Sequence, residues 1–409
     1  MSILILFLQM ILWLVGSLLA MMVGHLLLLT VAAWVAPKVT PAAVRQSRHR
    51  FAILVPAHNE ERLLPALLES LRRLDYPQPL IAIHVVADNC IDETAAIAQA
   101  AGATVHERFD LVNIGKGYAL QWLLARLEKA QVSFDAAVIL DADSVVSPNF
   151  LTVMNTQLNN GERVIQAHYA VLHPERSWVM SLRAAALALV HYLRPLGRMA
   201  LGGSVGLKGN GMVFQRAILA EHQWSASVTE DIDYHMALVL SGERVAFAPD
   251  ATVWAEMPGT LRSAQTQNIR WEQGRLQLAR YYIPLLLQAA FSPEWRGRRL
   301  SRSLLFDSIM EHLIPPFSMV MALSVVYWVL AWLCTMLWGA TPLLVLATLL
   351  LVGQLIYIIG GLILAGTPPQ TYLALLYAPF FIFWKLRLLF AMVTRVEKQG
   401  WVRTARDGV

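Results

Sequence analysis

Val138-Ile139-Leu140-Asp141-Ala142-Asp143 is the stretch on which the reading of this chain turns. With Ala137 in front, it reads as a short buried strand, too uniformly apolar to have a wet face, that runs straight into two carboxylates. Side chains alternate along a strand, so the reading puts Asp141 and Asp143 on one side, where like charges repel. Ser144 and Pro148 then close the strand and release the chain into a loop. A buried strand that ends in paired acids makes physical sense where a cation sits. Mg²⁺ or Mn²⁺ takes one or two protein carboxylates and fills its other positions with water and substrate phosphates. An acidic turn that merely solvates a strand end has the same three letters, so the rest of the chain has to decide.

The 409 residues allow two or three structural units. A hydrophobic content of 56% and a mean hydropathy of +0.50 exceed what a soluble domain needs, so a membrane portion is expected. The net charge of +5 suits anionic lipid head groups or phosphate-bearing substrates. Nucleic acid is not indicated, because the basic residues form no aromatic-interleaved patch. Cys90 and Cys334 lie far apart and make neither a disulfide framework nor a zinc spacing.

From Ser2 to Pro37 there is no Lys, Arg, Asp or Glu, so residues 1–37 read as a transmembrane helix. Lys38, Arg45, Arg48 and Arg50 follow at once, which puts the N-terminus outside and the next unit, residues 38–277, in the cytoplasm. There, short apolar runs alternate with amphipathic helices, the pattern of an α/β domain with a largely parallel sheet. Strands are expected at Phe51–Val55, Ile81–Ala87 and Thr104–His106, and helices at Glu60–Arg73, Thr94–Ala101 and Tyr118–Lys129. Ligands bind beyond the carboxyl ends of such strands. His58-Asn59-Glu60, Asp88-Asn89 and Asp141/Asp143 all fall there. The helix around Trp178–Leu193, with Arg183, His191 and Arg194 interspersed, fits equally a core-facing helix and one lying in the membrane interface.

Residues 278–312 carry interfacial helices and a basic collar of Arg296, Arg298, Arg299 and Arg302. From Leu313 to Trp384 there is again no charged residue, and 313–366 holds two clear spans. Residues 367–409 read as an interfacial helix and a basic tail. The segment 372–393 is ambiguous, and the positive-inside rule favours keeping the tail cytoplasmic.

Three further clusters carry chemistry. Gly202-Gly203-Ser204-Val205-Gly206-Leu207-Lys208-Gly209-Asn210-Gly211 lets backbone approach a ligand closely but lacks P-loop and dinucleotide spacing. Thr229-Glu230-Asp231 opens a helix over Ile232–Leu240, where Thr229 or Asp231 would also serve as an N-cap. Gln267-Asn268-Ile269-Arg270-Trp271 puts an amide, a cation and a flat aromatic on one helical face. That set suits a diphosphate beside a sugar ring, and suits an interfacial Arg–Trp anchor too.

Taken together, these residues resemble glycosyltransferase family 2, in its membrane-integrated branch with cellulose, chitin and hyaluronan synthases and ceramide glucosyltransferase. The resemblance covers roughly Phe51 to Arg275 and the flanking membrane helices. The motifs occur in family order: Pro56-Ala57-His58-Asn59-Glu60, Asp88, Gly115-Lys116-Gly117, Asp141-Ala142-Asp143, the Gly-rich loop, Thr229-Glu230-Asp231 and Gln-X-X-Arg-Trp. It implies a GT-A type α/β fold with a Rossmann-like sheet, a UDP-sugar donor and a divalent cation, Mg²⁺ or Mn²⁺. On matching positions, Pro56, Asn59, Glu60, Asp88 and Lys116 would hold the uridine diphosphate. Asp141 and Asp143 would place it through the metal. Asp231 would be the general base, with Glu230 its competitor turned about 100° away on the helix. Gln267, Arg270 and Trp271 would hold the diphosphate and the acceptor sugar. Asp88-Asn89-Cys90 departs from the family, where many members have two acids and a glycine. The tail Trp401-Val402-Arg403-Thr404-Ala405-Arg406 looks like C-terminal segments of bacterial polysaccharide synthases.

The resulting expectation is an inverting, metal-dependent glycosyltransferase, multi-pass in the plasma membrane (a bacterial inner membrane), with its catalytic domain cytoplasmic. The acceptor is a growing β-linked polysaccharide on the first reading and a ceramide- or hopanoid-type membrane lipid on the second. Three spans line a polymer channel sparsely unless further protomers or an export partner contribute. A sugar-nucleotide sensor or transporter would leave the acids dispensable.

Overall fold

Continuously apolar apart from a few polar positions such as Gln9 and His25, Ile3–Val35 winds into a single helix, α1, with no preferred wet face. The computed structural model describes residues 3–36, 48–222, 224 and 230–394. After α1 the chain alternates as its periodicity predicts: β1 Phe51–Ala57, α2 Leu64–Arg72, β2 Ile81–Asp88, α3 Thr94–Ala100, β3 Thr104–Arg108, α4 Lys116–Lys129 and β4 Ala136–Ile139. These four strands pair in parallel in the order β3-β2-β1-β4. Phe51, Ile53 and Val55 pack on one face of the sheet with Leu64, Leu67 and Leu71, while Ala52 and Leu54 pack on the other with Leu120 and Leu123. Both faces are covered, which is why the strands read as unbroken apolar runs.

The second half departs from a largely parallel sheet. It contains β5 Ser144–Val146, α5 Phe150–Asn159, β6 Val164–Val171, α6 Trp178–Leu187, α7 Arg194–Ala200, β7 Met212–Gln215, α8 Arg216–Glu221, α9 Glu230–Leu240 and β8 Val245–Ala255. The full order is β3-β2-β1-β4-β7-β6-β8-β5, with β7 antiparallel to both β4 and β6, and β5 antiparallel to β8. The sheet is therefore mixed.

The paired acids do not sit on a strand. β4 ends at Ile139, and Asp141–Asp143 form a turn in which the Ser144 amide donates to the Asp141 carbonyl at 3.2 Å. Ser144 opens no loop; it starts β5, which crosses to the far edge of the sheet, where Ser144 pairs with Ala255. Alternation thus gives way to a turn, because the chain must change direction between two strands of one sheet.

The remaining helices are α10 Leu261–Phe291, α11 Arg302–Leu313, α12 Phe317–Trp338, α13 Thr341–Leu364, α14 Pro369–Ala374 and α15 Ala378–Thr394. A capping box, in which Thr260 and Ser263 satisfy each other's backbone amides, starts α10. The helix then runs unbroken past Pro284. Between α6 and α7 the helix widens over Ala188–Leu193, where Leu189 and Leu193 cluster with Leu26 and Ala33 of α1 and Tyr357 of α13. On another side, Tyr192 meets Phe247 of β8 edge-on, ring centroids 6.0 Å apart. This helix therefore joins the sheet to the apolar helices. Among the described residues, three helices are long and apolar enough to cross a membrane: Ile5–Val35, Phe317–Trp338 and Thr341–Leu364.

Candidate active site

Backbone ends converge at the carboxyl edge of β1, β2 and β4. At β1, Asn59 adopts a left-handed backbone (φ 54°), which its short polar side chain tolerates, and its Oδ1 accepts the Ile91 amide at 2.9 Å. The His58 ring nitrogen Nδ1 meets the Asp88 carbonyl at 2.7 Å, so the two strand ends are laced together. Asp88 itself is buried and paired with Arg108 of β3 at 2.5 Å; Arg108 reaches Asp110 as well, at 2.9 Å. Burial raises the Asp88 pKa despite that partner.

Lys116 stands at the first position of α4. Its Nζ lies 2.5 Å from Asp141 Oδ1 and donates to the Gly209 carbonyl. Burial alone would lower the Lys116 pKa, but Asp141, Glu230 and Asp231 together raise it. Gly209 has φ 76°, a left-handed conformation that suits glycine. A Cβ there would sit 3.5 Å from Asp231 Oδ2 and 3.8 Å from Lys116 Nζ, so the loop is pressed against both groups. Asn210 ties this loop to the acidic turn. Its Oδ1 accepts the Asp141 amide at 3.1 Å and its Nδ2 donates to Ser144 Oγ at 2.8 Å. Gln166 of β6 holds the same loop, accepting the Lys208 amide at 2.9 Å and donating to the Asn210 carbonyl at 2.8 Å.

Asp231 Oδ1 accepts the Ile232 amide at 2.9 Å in the first turn of α9. Thr229 lies outside the described residues. The helical rotation does not remove Glu230 from the site, since Glu230 and Asp231 face one cavity and both act on Lys116. Two successive residues at a helix start share that space because each has a flexible stem. Burial raises both carboxyls, and the Asp231 charge pushes Glu230 further, to about 7.

On α10, Arg183 of α6 links the two aligned residues of the expected face. Its Nη1 donates to Gln267 Oε1 at 2.7 Å, and its guanidinium carbon lies 5.3 Å from the Trp271 ring centre. Trp271 keeps 40% of its surface exposed. The Arg270 side chain and the tail Trp401–Arg406 lie outside what the structure describes.

All of this opens into one cavity of about 940 Å³. Its lining holds Pro56, Glu60, Asp88, Lys116, Asp141 and Asp143 at the strand ends, and Glu230, Asp231, Gln267 and Trp271 from α9 and α10. Asn59 is not part of that lining and instead pins the strand end. The far end runs between Phe317 and Met321 of α12, Ile358 of α13, and Phe381 and Ile382 of α15. No group of three or more His, Cys, Asp or Glu is arranged to hold a metal among the described residues. Two hard carboxylates in one turn, both felt by the partly buried Tyr169, nevertheless fit Mg²⁺ or Mn²⁺ of the kind that shares its shell with a diphosphate.

Motif reading missed Arg183 and Gln166, and gave Asn210 no role apart from the Gly-rich loop that contains it. Arg183 and Arg194 did leave a trace, as cations within an apolar helix.

Residues 49–274 match the family described as glycosyltransferase like family 2. A beta-monoglucosyldiacylglycerol synthase of Synechocystis is 28% identical over 55% of this chain and 47% of its own. A poly-beta-1,6-N-acetyl-D-glucosamine synthase of Staphylococcus epidermidis is 26% identical over 54% of each chain. The chain spans about half the length of the curated relatives it matches. In three dimensions it is similar to the mannosyltransferase PcManGT of Pyrobaculum calidifontis, solved with GDP-Man and Mn²⁺. That likeness has a TM-score of 0.52 at 17% identity and covers 86% of this chain and 98% of the other. The mixed sheet with its flanking helices is a GT-A type fold, and the chain belongs to glycosyltransferase family 2.

Proposed function

We propose that this protein is an inverting glycosyltransferase that moves a sugar from a UDP-sugar to a hydroxyl of a lipid held in the membrane. The observation that carries the reading is the continuity of the cavity, from Asp88, Lys116 and the Asp141 turn to apolar side chains between α12, α13 and α15. Glu60 and Asp88 stand where the nucleoside enters, and Lys116 faces the diphosphate. Asp141 and Asp143 would hold Mg²⁺ or Mn²⁺, which when bound supplies positive charge to the leaving diphosphate. Asp231 accepts the acceptor hydroxyl proton as that oxygen attacks the anomeric carbon from the face opposite the diphosphate. The bond from anomeric carbon to diphosphate oxygen breaks, and UDP leaves. Gln267 and Trp271, steadied by Arg183, orient the sugar. The relatives support transfer chemistry on lipid or polysaccharide acceptors alike.

On this reading α1, α12 and α13 cross a plasma membrane, the bacterial inner membrane, with the catalytic domain cytoplasmic; their length and the basic residues after α1 support it. A polysaccharide acceptor is the second reading, favoured by the exposed Trp271 face, which suits stacking on a sugar ring. The test supplies the purified chain in lipid vesicles with labelled UDP-sugars and separates lipid extract from polymer. Label in lipid is the expected result. Label only in polymer selects the second reading, and label in neither, across the donor panel, refutes both.

A further inference from the structure

Where the cavity passes between the membrane helices, its charges do not balance. Arg198 occupies Glu311 of the lining at 2.5 Å and, beyond the lining, Asp307 at 2.7 Å. Lys385 of α15 occupies Glu272 of α10 at 2.9 Å. Two lining arginines are left over. Arg194 donates through Nε to the Tyr357 hydroxyl at 2.7 Å, and its Nη2 is buried with no hydrogen-bond partner among the described residues. Arg275 donates through Nη2 to the Ile314 carbonyl at 3.0 Å. Neither forms an ion pair with a carboxylate among the described residues. Burial lowers the Arg275 pKa first of all; the Glu272 and Glu311 charges raise it and the Arg194 charge lowers it. The two guanidinium groups therefore repel across the cavity, although neither carboxylate pairs with Arg275 directly. Buried cations are ordinarily paired, and guanidinium binds phosphate oxygens by a fork of parallel hydrogen bonds.

We propose that Arg194 and Arg275 hold the phosphate of the acceptor, a membrane phospholipid whose head group also carries a free hydroxyl. The inference rests on the lipid reading above and narrows it to an anionic lipid. Phe317 and Ile358 line the same end of the cavity and accommodate the acyl chains. Arg275 follows Trp271 by one turn on the same face of α10, roughly 6 Å along the axis. A hydroxyl a few bonds from the phosphate then reaches Asp231. Its oxygen forms the new bond to the anomeric carbon, its proton passes to Asp231, and UDP carries away the electron pair of the broken bond.

The experiment uses the full chain in vesicles of phosphatidylcholine alone, with diacylglycerol, or with phosphatidylglycerol. It measures phosphatidylglycerol binding without donor, UDP binding, and the lipid that receives label. Wild type is expected to bind and glycosylate phosphatidylglycerol in preference to diacylglycerol. Arg194→Gln and Arg275→Gln should each weaken phosphatidylglycerol binding about tenfold while leaving UDP affinity unchanged. The lysine variants, which keep charge without the fork, should fall between. Four results overturn the proposal: diacylglycerol labelled as well as phosphatidylglycerol, a preference that survives both glutamine substitutions, phosphatidylglycerol bound but never labelled while diacylglycerol is, and UDP affinity falling with the arginines. Label found only in polymer refutes the lipid reading instead. In that case donor-free binding still decides whether the arginines hold an anionic head group.

Discussion

Replacing Asp231 by Asn separates basicity from shape. The amide oxygen can still accept the Ile232 amide, the 2.9 Å contact that Asp231 Oδ1 makes at the start of α9. What is lost is the acceptor for the hydroxyl proton, worth about 10²–10⁴ in rate, or about 3–5 kcal/mol of barrier. Stability moves the other way. Burial raises the Asp231 pKa in the folded state, so its ionised form is penalised there relative to the unfolded chain. That penalty is absent below the unfolded carboxyl pKa and sets in as pH rises towards the folded value. A neutral amide escapes it, so the Asp231→Asn variant should melt at the same temperature or higher at neutral pH.

Activity needs the deprotonated base and should climb with pH through the raised pKa range. Glu230, pushed to about 7 by burial and by Asp231, shares that titration. Glu230→Gln removes the neighbouring negative charge and should shift the acid limb of the profile to lower pH while most turnover survives. The assay is labelled-sugar transfer across pH, with UDP binding and thermal unfolding in parallel. If Asp231→Asn keeps more than about a tenth of wild-type turnover while Glu230→Gln abolishes it, the base is Glu230. An acid limb that stays fixed in Glu230→Gln refutes the coupling.

Three other outcomes follow from the same geometry. A strong chelator should stop transfer and Mg²⁺ or Mn²⁺ should restore it, and Asp143→Asn should weaken UDP binding more with metal than without; full turnover under chelation excludes the cation. Trp271→Ala should impair transfer while UDP titration stays near wild type, by about 1–3 kcal/mol of lost stacking and burial, and Trp271→Phe should be milder; a loss confined to folded yield would make Trp271 an anchor. Gly203→Ala would place a methyl 2.5 Å from Asp307 Oδ2, a carboxylate that Arg198 and the Ser204 amide already hold in place. Relief of that clash should cost about 1–3 kcal/mol, read as a lowered melting temperature, and an unchanged transition would mean that Asp307 is free to move.

Local patterns were legible in the sequence where one face or one strand end decides the outcome. The first four strands and their helices follow from apolar runs separated by amphipathic segments, because each element buries its own pattern. The order of β7, β6, β8 and β5 was not legible, since a four-residue strand such as Met212–Gln215 carries no mark of the partner it will meet. The same limit applies at the site. Asp141 and Asp143 were found by proximity in sequence, but the turn that aims them exists only because Ser144 pairs with Ala255 across the sheet. Arg183 was visible as a cation among apolar residues, yet its partner Gln267 lies 84 positions away. One cation in an apolar helix reads equally as a snorkelling side chain or a buried one until that distance is closed.

The same reasoning explains why the sheet and the apolar helices cannot be treated as separable pieces. Arg198 lies within α7, which packs against α1, and its guanidinium grips Asp307 and Glu311 of α11. Asp307 in turn accepts the Ser204 amide at 3.1 Å, and Glu311 lies 3.9 Å from the Lys208 ammonium, so α11 holds the Gly-rich loop at two points. That loop supplies the Gly209 carbonyl to Lys116 and the Asn210 oxygen to the Asp141 amide. A displacement of α11 relative to the sheet would therefore move Lys116 and the Asp141 turn. Buried charges broken on one side leave the other unpaired at a cost of about 3–5 kcal/mol, so α7 and α11 fix the loop rather than merely adjoin it.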